Sequence, residues 1–184
     1  EPDARMRKIL TEAAQVGQAM AQTIAWRPRM DPKQLYMYPG KRQWKKLFVL
    51  QDVTFHTPDY LLIDQRIRYG YEGIGTSYSM TLTRPGIGSK YICLYTDQSG
   101  EFLSGEHTYK VHIPRGVPAA KFWSVTAYDN DTRSLLTNET ERPLVGSLHG
   151  VRPNDEVFHR IPFGPTLPDG VAEANWIQTK PGKG

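Results

Sequence analysis

The sequence predicts a mainly β protein, in which short strands form a sandwich or barrel after one amphipathic α-helix and an irregular linker region. Beyond Lys90 apolar and polar residues alternate, as they do in half-buried strands, and clusters of turn residues separate the alternating runs. The 184 residues include 16 glycines and 14 prolines, which favours many short elements joined by turns. We expect a helix over residues 1–26, a linker region over 27–84 and a β domain over 85–184.

The N-terminal helix has the clearest pattern. Its apolar residues recur at steps of three and four, the period of one helical face. They are Met6, Ile9, Leu10, Ala13, Val16, Gly17, Met20 and Ile24. Asp3 is a suitable N-cap, and Pro28 ends the helix because proline has no N–H to continue the hydrogen-bond ladder. The sequence therefore predicts a helix over residues 4–26.

The linker region combines aromatic, basic and turn residues. We expect a short strand or helix near Trp44–Leu50. Between Asp64 and Met80 one set of residues keeps helical spacing: Ile67, Tyr71, Ile74 and Tyr78. Three glycines in this segment each weaken a helix by up to about 1 kcal/mol relative to alanine.

The β domain contains several alternating segments. We predict strands in Tyr91–Thr96, His107–Pro114, Phe122–Tyr128, Val157–Ile161 and Asn175–Thr179. In the second of these, Tyr109, Val111 and Ile113 face one side of the sheet, because successive side chains of a strand point to opposite faces. In the third, Trp123, Val125 and Ala127 share a face in the same way.

Five stretches of the β domain resemble the signatures of a known family. They are Pro85–Tyr91, Phe122–Asn130, Thr132–Leu136, Phe163–Pro165 and Asn175–Gly184. Together they are similar to a bacterial family catalogued as domain of unknown function 1214, which usually follows a partner domain numbered 1254. The resemblance implies an antiparallel jelly-roll-like sandwich, often in proteins that are periplasmic or otherwise exported. It implies no agreed reaction, cofactor or catalytic residue.

The chain departs from the family pattern in two places. Family members usually carry an Asp-Gly-Ser turn where this chain has Asn154–Val157. They also continue beyond the Pro-Gly-Lys-Gly motif into another strand, whereas this sequence stops at Gly184. We therefore expect a fragment that lacks the upstream domain and the last strand. Because an unpaired sheet edge recruits strands, we expect a strand-donating partner chain, a homo-oligomer or a loop that covers the edge.

The best-marked enzyme classes have no signature in this sequence. Cys93 is the single cysteine, so an internal disulfide and a thiolate metal cage are excluded. The sequence contains no nucleophile elbow, phosphate-binding loop or dinucleotide fingerprint, and no apolar run long enough to span a membrane. His107 and His112 have opposite parity on their predicted strand, which disfavours a shared metal. We predict neither a cofactor nor a metal site.

Three hypotheses for function remain. The leading one is a binding module that holds a small molecule or a partner protein and assembles with copies of itself. Its predicted ligand-binding residues are Trp123, Tyr128, Arg133 and Trp176, since aromatic side chains line many binding pockets. The second is a hydrolase with polar residues on loops, namely His112, Asp129, Arg133 and His149.

The third hypothesis is nucleic-acid binding through the basic and aromatic segment 38–46. Bases stack on aromatic rings while lysine and arginine neutralise phosphates. Most such segments are solvated linkers, so nucleic acid is the least favoured partner. Asn138-Glu139-Thr140 also fits a glycosylation sequon, although such triplets are common by chance.

Overall fold

The computed structural model describes residues 1–50, 52–73, 81, 86–151 and 157–183. Its contacts divide the chain into two compact units, unit 1 (Glu1–Gly100) and unit 2 (Glu101–Gly184). The predicted β-domain boundary at residue 85 stays a prediction.

Unit 1 begins with helix α1 (Ala4–Trp26). The Asp3 carboxylate accepts a hydrogen bond of 2.8 Å from the backbone N–H of Met6, which satisfies one of the free donors of the first turn. At the other end the backbone N–H of Arg27 donates to the carbonyl of Thr23, and Pro28 follows. The predicted helix and its cap are confirmed.

The other described elements of unit 1 are short. They are α2 (Pro32–Leu35), β1 (Lys45–Lys46), α3 (Ile63–Gly73) and β2 (Ile92–Cys93). Strands β1 and β2 pair antiparallel, with Lys45 opposite Cys93. The strand expected near Trp44 is therefore confirmed, and α3 confirms the first part of the helix expected after Asp64. Ile74 and Tyr78 lie outside the described residues.

Unit 2 contains the longer strands. They are β3 (Tyr109–Pro114), β4 (Ser124–Thr126), β5 (Leu144–Gly146), β6 (Phe158–Gly164) and β7 (Ile177–Gln178), with a 3₁₀ helix at Glu173–Asn175 before β7. One sheet has the order β3-β6-β7 and a second pairs β4 with β5. The β3–β6 and β4–β5 pairs are antiparallel.

The two sheets of unit 2 share one apolar core. Val145, Ile161 and Ile177 are at most 3% exposed, and they come from β5, β6 and β7. Half-buried residues of β3 and β4 pack against them, including Val111 and Val125. The alternating burial of β3 confirms the predicted orientation of Tyr109, Val111 and Ile113.

One pairing differs from the predicted antiparallel sandwich. Strand β7 runs parallel to β6, because the segment after Gly164 carries the chain back to the start of the sheet through the 3₁₀ helix. An isolated antiparallel bridge joins Tyr128 and Leu135. The described residues thus form a mixed α/β structure whose sheets lie mainly in unit 2, and the jelly-roll arrangement stays a prediction.

A backbone contact joins the two ends of unit 2. The N–H of Gly105 donates to the carbonyl of Lys183, and the Thr179 hydroxyl donates to the Gly105 carbonyl at 2.7 Å. A side chain at Gly105 would place its Cβ 2.0 Å from the Lys180 carbonyl oxygen. Only glycine allows this approach.

Candidate functional site

Helix α1 carries a continuous apolar surface that the described residues leave uncovered. Five of its large apolar side chains are between 47% and 59% exposed: Met6, Ile9, Leu10, Val16 and Met20. Ala13 and Gly17 lie between them on the same face and are also exposed, since positions three and four apart are neighbours on a helix. We call these seven residues the α1 stripe.

Among the described residues, α1 packs on unit 1 through its C-terminal end. Ala25 is buried, and Ala21, Gln22, Ile24 and Trp26 are half-buried. The Trp26 ring lies 6.0 Å from the ring of Tyr95. Amphipathic helices normally gain most of their stability from packing the apolar face. An exposed stripe of this length is therefore the feature of unit 1 that most resembles an interaction surface.

A buried polar cluster holds the C-terminal end of α1. The Lys45 ammonium donates to the Trp26 carbonyl and lies 5.4 Å from the centre of the Tyr95 ring. The Tyr95 hydroxyl donates to the Glu72 carboxylate. Lys45 therefore satisfies a helix-end carbonyl and makes a cation–π contact at the same time.

Arg68 of α3 supports the same region. It is fully buried, and its two Nη atoms donate to the carbonyls of Leu47 at 2.8 Å and Lys46 at 2.7 Å. Within the part of the chain that the structure describes, its Nε and the Oε1 of buried Gln65 have no hydrogen-bond partner. Burial lowers the pKa of Lys45, and the positive charge of Arg68 lowers it further, against the opposing effects of Cys93 and Glu72.

The burial of Lys45 bears on the basic and aromatic segment 38–46. Lys45 is only 4% exposed, so its ammonium faces the protein rather than solvent. Lys41 and Arg42 are exposed, and Trp44 is half-buried. A phosphate could reach these two cations but not Lys45.

Two of the predicted hydrolase residues share one turn. Asp129 accepts from the backbone N–H of Asp131 at 2.9 Å, while its other carboxylate oxygen lies 2.8 Å from the Lys183 ammonium. Arg133, at a positive φ of 59°, donates from its backbone to the Asp129 carbonyl. The hydrogen bond from Lys183 lowers the pKa of Asp129. A carboxylate held in its ionised form is a poor proton acceptor in catalysis.

The two predicted histidines lie in other surroundings. The exposed ring of His112 lies 5.7 Å from the Phe158 ring, on the face of β3 opposite to the core. His149 lines a recess of about 190 Å³. The full lining is Glu141, Arg142, Pro143, Leu144, Val145, His149, Ala174 and Trp176.

The predicted ligand-binding residues are distributed over several environments. Trp176 is 7% exposed, lines the recess, and donates from Nε1 to the Gly164 carbonyl at 3.1 Å. Trp123 packs on the core with its ring 5.2 Å from the His159 ring. Tyr128 is half exposed. Their role in ligand binding stays a prediction, as does that of Arg133.

Asn138, the acceptor position of the sequon, is an interior residue. It is 4% exposed, and its side-chain nitrogen donates to the carbonyls of Arg142 and Gln178. Its Oδ1 accepts from the backbone N–H of Arg142 at 3.1 Å. Glycosylation at this nitrogen is incompatible with the folded unit.

The described ranges contain neither a metal-binding cluster nor a membrane-spanning helix. No group of three His, Cys, Asp or Glu residues converges in a way that could hold a metal ion. No helix in this part of the chain combines the length and the apolar character needed to cross a bilayer.

The buried cluster of Lys45 and Arg68 was not predicted from the sequence. Lys45 lies opposite Cys93 through a long-range strand pairing, which no local pattern around Lys45 indicates. Arg68 could have been found from its spacing, since it follows Asp64 and Gln65 by one helical turn. Cys93 is half-buried.

The fold and this surface define a mixed α/β protein in two units, with an uncovered apolar helix in one and a small two-sheet core in the other. The family described as "Protein of unknown function (DUF1214)" matches residues 88–184. The chain belongs to this family.

Among solved structures, the crystal structure of the VPA0106 protein from Vibrio parahaemolyticus aligns with 98% of this chain and 40% of its own. The two sequences are 19% identical and the TM-score is 0.43. The chain therefore spans less than half the length of that protein. No curated protein matches the chain.

Proposed function

We propose that this chain is a protein-binding and assembly module whose contact surface is the α1 stripe. The observation that carries the proposal is that five large apolar side chains on one face of a 23-residue helix are about half exposed. Exposed apolar patches of this kind mark interaction sites in soluble proteins.

The energetics favour a partner on this face. Full burial of a Val, Leu, Ile or Met side chain contributes about 1.5–3 kcal/mol. Side chains that are half exposed can still gain about half of that amount, or roughly 1 kcal/mol each. Five of them therefore contribute roughly 5 kcal/mol from this side of an interface, which is comparable with the lower end of the cost of association.

A hydrolase receives less support from the geometry. Asp129 is engaged by Lys183 and by its own turn, and the Lys183 hydrogen bond lowers its pKa. His112 and His149 have separate surroundings, described above. A hydrolytic centre would need a base and a nucleophile within hydrogen-bond reach of each other.

Small-molecule and nucleic-acid binding also receive less support. The recess around His149 and Trp176 has a volume of about 190 Å³, whereas ligand pockets commonly have ~300–1,000 Å³. In segment 38–46, Lys45 is buried and is committed to the Trp26 carbonyl.

We also infer that unit 2 belongs to a larger antiparallel sandwich, which a strand from a partner chain or from another copy would extend. The shared core of the two sheets supports this inference. Strands β3 and β7 lie at the edges of their sheet among the described strands. Backbone amides of β3 that point away from β6 should then exchange with deuterium more slowly in the assembled protein than in dilute monomer.

The proposed function is tested on complexes from the cells that make the protein. The chain is tagged at its C-terminus, purified natively and weighed by native mass spectrometry. Leu10→Glu with Val16→Glu places two charges on the stripe. Gln15→Glu with Gln18→Glu places the same charges on exposed positions off the stripe and is the matched control.

The expected result is a complex heavier than the chain alone that the stripe variant loses and the control keeps. Circular dichroism should show equal helix content in both variants, because all four positions are exposed. A chain that is found alone, or a complex that survives the stripe substitutions, contradicts the proposed function.

A further inference from the structure

We propose that the partner of the α1 stripe is a second copy of this chain, paired antiparallel along α1 about a two-fold axis at Ala13. This inference rests on the proposed function, because it names what the stripe binds. Four independent properties of α1 support it.

The first property is the symmetry of the stripe. Measured from Ala13, stripe residues lie three, four and seven positions away on both sides. The pairs are Leu10 with Val16, Ile9 with Gly17, and Met6 with Met20. In an antiparallel pair centred on Ala13, each residue lies opposite the other member of its pair in the second copy. A two-fold interface requires this relation, because the same patch must be complementary to itself.

The second property is the complementarity of size. Ile9 would lie opposite Gly17, and a Cβ built at Gly17 meets nothing within 4 Å, so there is open space for the isoleucine side chain. Ala13 at the axis allows the helices to approach at the short end of the usual ~8–10 Å interaxial distance. The longest side chains, Met6 and Met20, meet at both ends of the stripe.

The third property is the distribution of charge. The cations of α1 are Arg5, Arg7 and Lys8, all near its N-terminus, whereas residues 13–26 carry no charged side chain. Antiparallel pairing places the basic end of each copy beside the uncharged end of the other. Parallel pairing would bring the two basic ends together, and like charges in contact oppose association.

The fourth property is the place along α1 where the rest of unit 1 packs against it. Residues 21, 22 and 24–26 are buried or half-buried within unit 1, while every residue from 4 to 20 is exposed. In an antiparallel pair the packed ends of the two copies lie at opposite ends of the helix pair. In a parallel pair they would meet at the same end and compete for the same space.

The size of the interface sets its strength. One pair of helices joined over the span from Met6 to Met20, roughly 21 Å at 1.5 Å per residue, lies at the small end of specific interfaces, below about 1,200 Å². We therefore expect a concentration-dependent dimer rather than a permanent one.

The experiment uses disulfide cross-linking of the whole chain. Cys93 is first replaced by serine, which removes the single native thiol. Single cysteines are then introduced as Ala13→Cys, Met6→Cys and Met20→Cys, together with the double variant Met6→Cys/Met20→Cys. Ala19→Cys, exposed and off the stripe, is the control. Each is oxidised mildly and resolved on a non-reducing gel, and sedimentation velocity gives the dimer fraction of the unmodified chain.

In the antiparallel pair, Ala13→Cys and the Met6/Met20 double variant should cross-link at least about tenfold faster than the control. Met6→Cys alone and Met20→Cys alone should match the control, because two copies of residue 6 are then about 21 Å apart, beyond the reach of a disulfide. Cross-linking of either single methionine position would indicate parallel pairing and overturn the inference.

The outcomes separate the inference from the proposed function. If the purified chain stays monomeric and Ala13→Cys matches the control, the partner is not a second copy. The proposed function would still stand if the stripe variant loses a complex in cells. If that complex is also absent or insensitive to the stripe variant, both are wrong.

Discussion

Units 1 and 2 both bury apolar side chains, but unit 1 also buries two cations. The centre of unit 2 consists of the aliphatic residues Val145, Ile161 and Ile177. Unit 1 buries the cations Lys45 and Arg68, while the apolar stripe of α1 remains in solvent. Unit 2 therefore encloses its apolar core, whereas α1 in unit 1 leaves an apolar face exposed. If the α1 stripe is the contact surface that we propose, association depends on unit 1.

The largest expected effect tests whether unit 2 depends on its apolar core. Ile177→Ala removes a side chain that is 0% exposed, and such truncations cost roughly 2–5 kcal/mol. Urea unfolding measures the loss, and faster hydrogen exchange at β6 amides locates it in unit 2. Val157→Ala, at a position 60% exposed, should change the unfolding free energy by less than about 0.5 kcal/mol. Equal effects of the two substitutions would contradict the described core.

The next effect tests whether unit 1 depends on its buried cation. Arg68→Met keeps much of the side-chain volume but removes two hydrogen bonds to the carbonyls of Lys46 and Leu47. Bonds from charged donors contribute about 1.5–3 kcal/mol each, but removing a buried charge recovers part of its desolvation cost. We therefore expect a net loss of roughly 2–4 kcal/mol in urea unfolding. Arg66→Met, an exposed position of the same helix, should be nearly neutral. A neutral Arg68→Met would remove the contrast between the two interiors.

A smaller effect tests whether the α1 stripe is uncovered in the monomer. Gly17→Ala should stabilise the dilute chain by about 0.5–1 kcal/mol, since alanine favours the helix and the added Cβ meets no neighbour. Gly40→Ala should destabilise it, because Gly40 has a φ of 70°, a backbone conformation that strains other residues. Thermal unfolding below the concentration of association checks both signs. Destabilisation by Gly17→Ala would mean that the stripe is already covered in the monomer.

The smallest effect is a change in pH dependence. The Lys183 hydrogen bond lowers the pKa of Asp129 below its ordinary value, so the unfolded chain binds this proton more readily. Its stabilisation is present above the ordinary aspartate pKa and is lost as pH falls through the lowered value. Asp129→Asn should therefore flatten the acid side of the stability curve, and Lys183→Met should do the same. A slope unchanged by either substitution would contradict the ion pair.

Local patterns predicted the elements that depend on local chemistry. The cap at Asp3 and the stop at Pro28 set the bounds of α1, because both act through backbone groups a few residues away. The alternation in β3 predicted its buried face for the same reason. Residue spacing alone therefore predicted helix α1 and strand β3 well.

Features that depend on distant pairing could not be predicted in this way. Lys45 is buried because Cys93 lies opposite it and Tyr95 covers its ammonium, and both are far along the chain. The parallel direction of β7 depends on the path after Gly164. The recess around His149 and Trp176 likewise assembles from separate loops, so no spacing in the sequence indicates it.

The contact of Gly105 with Lys183 brings two segments of unit 2 together that are far apart in the sequence. Because Gly105 and Lys183 are in backbone contact, a short peptide could link residue 183 to residue 105. New termini could then open in the exposed loop at residues 118–121, since termini that lie close together favour circular permutation. Such a permutant could be inserted into a loop of a host protein, because its two new termini would lie next to each other.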